Sequence, residues 1–346
     1  MPKVSVIMPV YNGEKFLAEA IESILAQTYK DYEFIIVCEY ETSRESLEII
    51  SKYAEKDNRL NVIKNTFRLG IAASLNVGFR AANGEYLARM DGDDIALPDR
   101  LKIQVAYMEK NPDVAICCGK AVCIDDKGVK LNIKDSCSDD PEQLKSDLIF
   151  YCVIRHPTII LRTSSVYEHN LFYNENCVAA EDYELWCRVV HKITIVKIPE
   201  VILLYRWFRN NATHVYFDEG VKNYQETMRE NLNRLGLDPN DGELRLLCSE
   251  TCKETISNHR RVRKTIEKCC DDITESNKRL GLYDEICLKN TLDRRMYWKK
   301  HRMRGWCVIA IRSAAELSKI RHLTLLARHL EYNGFGATFK RIFLKG

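Results

Sequence analysis

The chain has 346 residues, 46% apolar and 29% charged, with a formal net charge of +3. That length accommodates one large α/β domain with an appendage, or two modest domains, and the composition excludes a fibrous or wholly disordered chain. No apolar run reaches the roughly 20 residues of a membrane-spanning helix, and the N-terminus has no signal-peptide layout. Most of the 14 cysteines, among them Cys38, Cys117, Cys118, Cys123, Cys187 and Cys307, sit in apolar runs. They read as small buried hydrophobes of a reducing compartment, and the expected location is cytoplasmic. Neither Cys269-Cys270 nor Cys248 with Cys252 fits a four-ligand zinc pattern.

Along the chain, Lys3 to Val10 reads as a strand, and apolar positions from Phe16 to Leu25 give a helical period over Glu14 to Gln27. Strands follow at Glu33 to Cys38, Leu60 to Lys64 and Glu85 to Met90. The helices between them run from Ser43, a plausible N-cap, to Lys56 and from Ile71 to Ala82. Pro98 opens a helix to Lys110, and Val114 to Ile124 is the next strand. This alternation predicts an α/β fold with a mostly parallel sheet covered on both faces. After Pro141 the order is mixed: strands at Thr158 to Arg162 and Val196 to Tyr205 flank a helix from Glu181 to Val190. From about Phe217 the pattern is helical and charged. The expected division is 1–220 for the α/β domain and 221–346 for a helical, basic region. From Lys289 onward 14 basic residues face 3 acidic ones, a net of +11, so the remainder carries −8.

Ligands of an open α/β sheet bind at the carboxyl ends of its strands, and four features fall there. The turn Pro9-Val10-Tyr11-Asn12-Gly13 lacks the glycines of a dinucleotide fingerprint, but an aromatic at a strand end can stack on a base. The plain alternative is an ordinary Pro/Asn/Gly turn. Glu39 follows the second strand and could accept from a base N–H, or could be a solvated loop charge. Asp91, Asp93 and Asp94 place three carboxylates within four positions. Such a cluster repels itself unless a cation is present, and hard oxygen ligands suit Mg²⁺ or Mn²⁺. The alternative is an acidic turn before Leu97-Pro98. Glu181-Asp182 opens a helix, where acidic residues also simply suit the dipole.

The stretches VSVIMPVYNGEKFLAEAIESILAQTY, FRLGIAASLNVGFRAANGEYLARMDGDDIALPDRL, RHPTIILR and AEDYELWCRV together resemble family 2 glycosyltransferases of the GT-A fold, over residues 3 to 210. The resemblance implies an inverting enzyme of polysaccharide or glycoconjugate synthesis, using a nucleotide-sugar donor, with UDP the expected nucleotide, and Mg²⁺ or Mn²⁺. Pro9, Val10, Tyr11 and Asn12 would wrap the base, with Glu39 accepting from it and Arg68 facing the nucleotide. Asp91 would meet the ribose and Asp93 the metal. Asp94, His156, Glu181 and Arg206 would contact donor or acceptor, and Asp182 would be the catalytic base. Two departures stand out: Val37-Cys38-Glu39-Tyr40-Glu41 replaces the family's VVDDGS turn, and Tyr205-Arg206-Trp207-Phe208 lacks the family's later His. Arg206, Arg209 or His214 would have to supply that contact.

Glycan or lipid-linked acceptors are the partners implied. The basic segment, with Arg294, Arg295, Lys299, Lys300, Arg302 and Arg304 interleaved with aromatics, suits an anionic membrane surface at the inner face. Packing onto the acidic body is the alternative. Three rivals remain: a nucleotidyltransferase, a non-catalytic nucleotide-sugar binder, and a nucleic-acid-binding protein. The first lacks a Gly- and Lys-rich phosphate loop, the second is at odds with intact Asp91, Asp93 and Asp182, and the third with the acidic body. No nucleic-acid partner is expected, and the sequence assigns neither the sugar, the linkage nor an oligomeric state.

Overall fold

The computed structural model describes residues 1–133, 138–208, 216–248 and 259–296. These fall into two compact units that divide between Thr227 and Met228.

In the first unit the strands are β1 (Val4–Val10), β2 (Tyr32–Cys38), β3 (Leu60–Lys64), β4 (Tyr86–Arg89), β5 (Ile95–Ala96), β6 (Val114–Ile124), β7 (Ile160–Arg162) and β8 (Thr194–Arg206). They form one eight-stranded sheet in the order β3-β2-β1-β4-β7-β6-β8-β5. The β3-β2-β1-β4 portion is parallel. β7 runs antiparallel to both β4 and β6, while β8 runs parallel to β6. The sheet is therefore mixed. The antiparallel β7 sits in its middle, between β4 and β6, which therefore run parallel to each other.

Helices α1 (Leu17–Leu25), α2 (Arg44–Ala54), α3 (Ile71–Ala81) and α4 (Arg100–Lys110) follow the expected periods. β1 and β2 are buried almost throughout, so both read as continuous apolar runs, as strands covered on two faces must. On one face Val6, Met8, Phe34 and Ile36 pack with Leu17, Ile21, Ile24 and Leu101. On the other, Ile7, Leu87 and Leu161 pack with Leu75, Phe79, Tyr183 and Trp186. A side chain at Gly84 would place its Cβ 2.5 Å from the Ser5 amide nitrogen, so only glycine lets the chain enter β4 this close to β1.

Three short elements lie outside the expected set. β5 is two residues long, too short to show a period, and pairs antiparallel with β8. Helix α5 (Pro141–Asp147) is capped by Asp140, whose side chain accepts from the Glu142 amide, and α6 (Thr163–Glu168) has six residues. Thr158 belongs to a 3₁₀ turn, His156–Thr158, that precedes β7. Helix α7 (Glu181–Val189) matches the expectation.

Helix α8 (Phe217–Arg234) crosses the division. Beyond it, α9 (Asp241–Leu247) begins with a capping box between Asn240 and Glu243, and α10 (His259–Leu280) precedes helical residues 285–296. This second unit buries Met228, Leu232, Leu244, Leu247, Ile266 and Ile273. Among the described residues no helix is long and apolar enough to cross a membrane. All eleven described cysteines are free, and nine are buried.

Candidate active site

The acidic turn follows β4. Asp91, Asp93 and Asp94 each direct a carboxylate oxygen into a shared space, these atoms lying within 4.8 Å of one another. Asp91 Oδ2 accepts a short ion-paired hydrogen bond from Arg89 Nη1, whose side chain is buried at the end of β4. Burial opposes the charge of that guanidinium, but Asp91 more than offsets it. Asp94 is buried: its Oδ1 accepts from the Arg206 amide at 2.7 Å, and its Oδ2 is buried without a partner among the described residues. Burial, and then the Asp91 charge, push the Asp93 carboxyl up to about 7. Burial, Asp91 and Asp93 together push Asp94 well above the carboxylate range. Three acids that repel one another, one holding an orphaned buried oxygen, form a hard-oxygen donor set that fits Mg²⁺ or Mn²⁺.

The second acidic pair opens α7. Asp182 is half-buried, with Oδ1 accepting from the Tyr183 amide at 2.7 Å and Oδ2 from the Cys152 thiol at 3.4 Å. Burial raises its proton affinity, which these hydrogen bonds partly offset. Its neighbour Glu181 is only 6% exposed, and its Oε2 is buried without a partner among the described residues. Burial and then the Asp182 charge push Glu181 up to about 7, and the Asp91 charge also reaches it. Asp182 adjoins an aromatic frame. Tyr183 stacks on Tyr224 at 4.0 Å, the Tyr224 hydroxyl accepts from the Cys152 amide at 2.9 Å, and it donates to the Phe150 carbonyl.

At the end of β1, Tyr11 is 46% exposed and the Arg68 guanidinium lies over its ring at 5.3 Å. Arg68 Nη2 also meets the Tyr216 hydroxyl at 3.4 Å. Pro9 is half-buried, and Val10 is buried with its carbonyl accepting from the Glu39 amide. Asn12, at φ 51°, uses its Oδ1 to accept from the Ser43 amide at the start of α2. Tyr11 and Asn12 are the exposed residues of this segment.

Three of the expected contact residues are engaged within the protein. Both Glu39 oxygens are already taken: Oε1 accepts from the Tyr40 and Leu69 amides at 2.8 and 3.0 Å, and Oε2 from the Gly70 amide. Gly70 is the N-cap of α3 at φ 81°, so the carboxylate holds the loop that carries Arg68. His156 is a core residue whose Nε2 shares a 2.7 Å hydrogen bond with the Tyr173 hydroxyl, with Trp186 at its edge. Burial, and then Arg89, hold its imidazole well below the usual range, so it is neutral. Arg206 is likewise committed inward. Its Nε donates to the Asp93 carbonyl, its Nη2 to Glu19 Oε2 at 2.5 Å, and it stacks on Phe16 at 4.1 Å. It holds the acidic turn through the Asp93 carbonyl. Arg209 and His214 lie outside the described residues.

Two buried arginines escaped the sequence reading. Arg89 is one, and Arg100 is the other: it donates to the Arg89 carbonyl at 2.7 Å and the Ile159 carbonyl at 3.3 Å, fastening the end of β4 to the 3₁₀ turn. Arg89 ends the otherwise apolar strand YLAR, and Arg100 opens α4. A cavity of about 540 Å³ lined by Asp113, Lys145, Arg162 and His191 lies at the opposite ends of β6 and β8, away from both acidic groups.

Residues 5–165 match the family model described as Glycosyl transferase family 2. An uncharacterized glycosyltransferase of Haemophilus influenzae is 32% identical over 248 residues, 68% of this chain and 76% of that protein. One from Methanocaldococcus jannaschii is 37% identical over 212 residues, 59% of this chain and 71% of that one. Among solved structures, S. aureus TarS in complex with UDP-GlcNAc aligns at a TM-score of 0.58 and 18% identity, over 88% of this chain and 92% of that chain. Mannosyltransferase PcManGT from Pyrobaculum calidifontis, in complex with GDP-Man and Mn²⁺, aligns at 0.53 and 15% identity, over 100% and 88%. At such identities the structural likeness speaks for the fold, which is GT-A-like.

Proposed function

This chain belongs to glycosyltransferase family 2 and is a glycosyltransferase; from that premise we propose that it moves a sugar, with inversion, from a nucleoside-diphosphate donor to an acceptor hydroxyl. The observation that carries the reading is the pair of acidic groups at the carboxyl ends of one sheet. One is an oxygen-only cluster with an orphaned carboxylate oxygen, and the other is a half-buried carboxylate in the first turn of a helix.

In the proposed reaction Asp182 takes the proton of the attacking hydroxyl. Its raised proton affinity brings it closer to the operating pH, where a general base is most effective. The Tyr183 amide and Cys152 thiol hold both of its oxygens in place. Glu181, buried behind it, carries its proton near neutrality and so spares Asp182 a full second charge. Tyr11 stacks on the base of the nucleotide and Arg68 closes over it. Glu39 keeps the Arg68 loop in register. Asp93, with Asp91 and Asp94 beside it, would hold a divalent cation, which when bound supplies charge neutralisation for the diphosphate. Asp91 faces the ribose, and Arg206 holds the carbonyl of Asp93 and the carboxylate of Asp94 so that the cluster keeps its shape. UDP is the proposed nucleotide, in the synthesis of a polysaccharide or glycoconjugate.

A panel of UDP- and GDP-sugars incubated with Mn²⁺ or Mg²⁺ tests the reading. At least one donor should release nucleoside diphosphate, and release from none of them by the folded protein would remove it. The basic segment from Lys289 is proposed to dock the enzyme on an anionic leaflet. Of its first cluster, Arg294 is exposed, but Arg295 is 1% exposed and bonds to the Leu246 carbonyl, so Arg295 is a core residue. Lys299, Lys300, Arg302 and Arg304, with the rest from 297 on, lie outside the described residues. Salt-sensitive sedimentation with anionic but not neutral vesicles is the expected outcome.

A further inference from the structure

A short segment that touches Asp182 through Cys152, and the strand holding Asp94 through Tyr205, bears a cation with no assigned work. Arg155 precedes the 3₁₀ turn, and its carbonyl is fixed there by the Thr158 amide at 2.9 Å and the Thr158 hydroxyl at 2.7 Å. Three residues earlier, the Cys152 thiol touches Asp182. On its other side the Arg155 guanidinium lies over the ring of Tyr205, 5.3 Å from its centre. Tyr205 directly precedes Arg206, whose amide holds Asp94. The charges agree with this placement. Arg155 acts on the Cys152 thiol beside the base, and it acts on the Tyr205 hydroxyl, which also feels Asp94, Asp91 and Asp93.

The neighbouring guanidiniums are spent. Arg89 pairs with Asp91, Arg100 with two carbonyls, and Arg206 with Glu19 and the Asp93 carbonyl. Arg155 is half-exposed, and among the described residues its guanidinium makes no hydrogen bond or salt bridge. Stacking on Tyr205 leaves all five N–H donors of the fork open while limiting where they point.

We propose that Arg155 binds the distal phosphate of the nucleoside diphosphate, in the donor and in the departing product. The inference rests on the glycosyl-transfer reading above. In a single displacement the sugar carbon lies between the incoming hydroxyl at Asp182 and the leaving phosphate at the acidic turn. A group on a segment that touches both places meets the phosphate whose bond breaks. The fork geometry of guanidinium matches phosphate oxygens in pairs, and a hydrogen bond to a developing negative charge is among the strong ones. The competing role is bulk neutralisation of five nearby carboxylates, which would make no distinction between nucleotides differing by one phosphate.

Calorimetry with Mn²⁺ separates the two roles. UDP and UMP, and GDP and GMP, are titrated into the wild type, Arg155→Gln and Arg155→Lys, with no acceptor present. Arg155→Gln should lose roughly tenfold or more in affinity for the preferred diphosphate while its monophosphate affinity stays within about twofold. Arg155→Lys should recover part of the loss, because charge without the fork is retained. An unchanged diphosphate affinity, or an equal loss for diphosphate and monophosphate, overturns the proposal while leaving the glycosyl-transfer reading intact. A wild type that binds neither diphosphate overturns both. The position is half-exposed, so an unaltered melting temperature is expected in both variants.

Discussion

The turn Asp91–Asp94 and the helix start Glu181-Asp182 both concentrate negative charge, and the Asp91 charge reaches Glu181, yet the two groups are held differently. In the turn, the carboxylates are held apart from protein donors on one side: Asp94 Oδ2 has no partner among the described residues, and the flanking arginines grip carbonyls, backbone and Asp91 from behind. Burial and mutual repulsion push Asp93 up to about 7 and Asp94 well above the carboxylate range. At the helix start, Asp182 has both oxygens held by the protein, while Glu181 beside it is buried and pushed up to about 7. In the proposed reaction these arrangements serve two chemistries. Oxygens short of protein donors suit a cation that arrives with its ligand, and a carboxylate with both oxygens held suits a proton acceptor.

Substitutions in each group sharpen that contrast. The largest effect is expected for Asp182→Asn, which keeps shape and deletes basicity. Its turnover of nucleotide sugar should fall on the order of 10²–10⁴-fold, and turnover equal to wild type in a steady-state assay would end the assignment. Asp93→Ala should raise the Mn²⁺ concentration needed for half-maximal turnover on the order of 100-fold. A metal titration with an unchanged midpoint would show that Asp93 is no ligand. Glu181→Gln should stabilise the protein at alkaline pH. In the wild type the folded-state pKa is raised to about 7 from 4.5. The folded protein therefore binds the extra proton, and its stability falls as pH rises from about 4.5 through 7. The variant escapes that penalty. It should be up to about 3 kcal/mol more stable than wild type at pH 8 and no different below pH 4.5. Melting curves giving the same difference at both pH values would contradict the buried-acid account. Glu39→Gln should have the smallest effect. It should lower stability by about 1–2 kcal/mol through the Leu69–Gly70 amides and weaken UDP and GDP alike by a few-fold. A loss confined to UDP would instead assign Glu39 to reading the base.

How far the sequence reaches follows the same division. The strands and helices through Ile124 were legible because each is a long run of one period, and Asp91-Gly92-Asp93-Asp94 announces itself by density alone. Contacts between distant positions were not legible. Glu39 and Gly70 are 31 apart, and Asp94 and Arg206 are 112 apart, so nothing local distinguishes a carboxylate that caps a loop from one that faces a ligand. His156 looked like a site residue because of its Pro neighbour. Its low proton affinity comes from the burial that Tyr173 and Trp186 share with it, which only the folded core creates. Arg89 was hidden for the converse reason, since its position in β4 reads as strand and its partner stands only two residues ahead. The two residues of β5 carry no period and are fixed by pairing with Leu203 and Leu204.

The division of labour between the two acidic groups is tested most directly by calorimetry of nucleoside diphosphate with Mn²⁺ into Asp182→Asn and Asp93→Ala side by side. The account predicts wild-type affinity in Asp182→Asn, because its change is confined to the proton acceptor, and loss of the Mn²⁺-dependent part of binding in Asp93→Ala. Weakened binding in Asp182→Asn, or Mn²⁺-dependent binding that survives in Asp93→Ala, would contradict it.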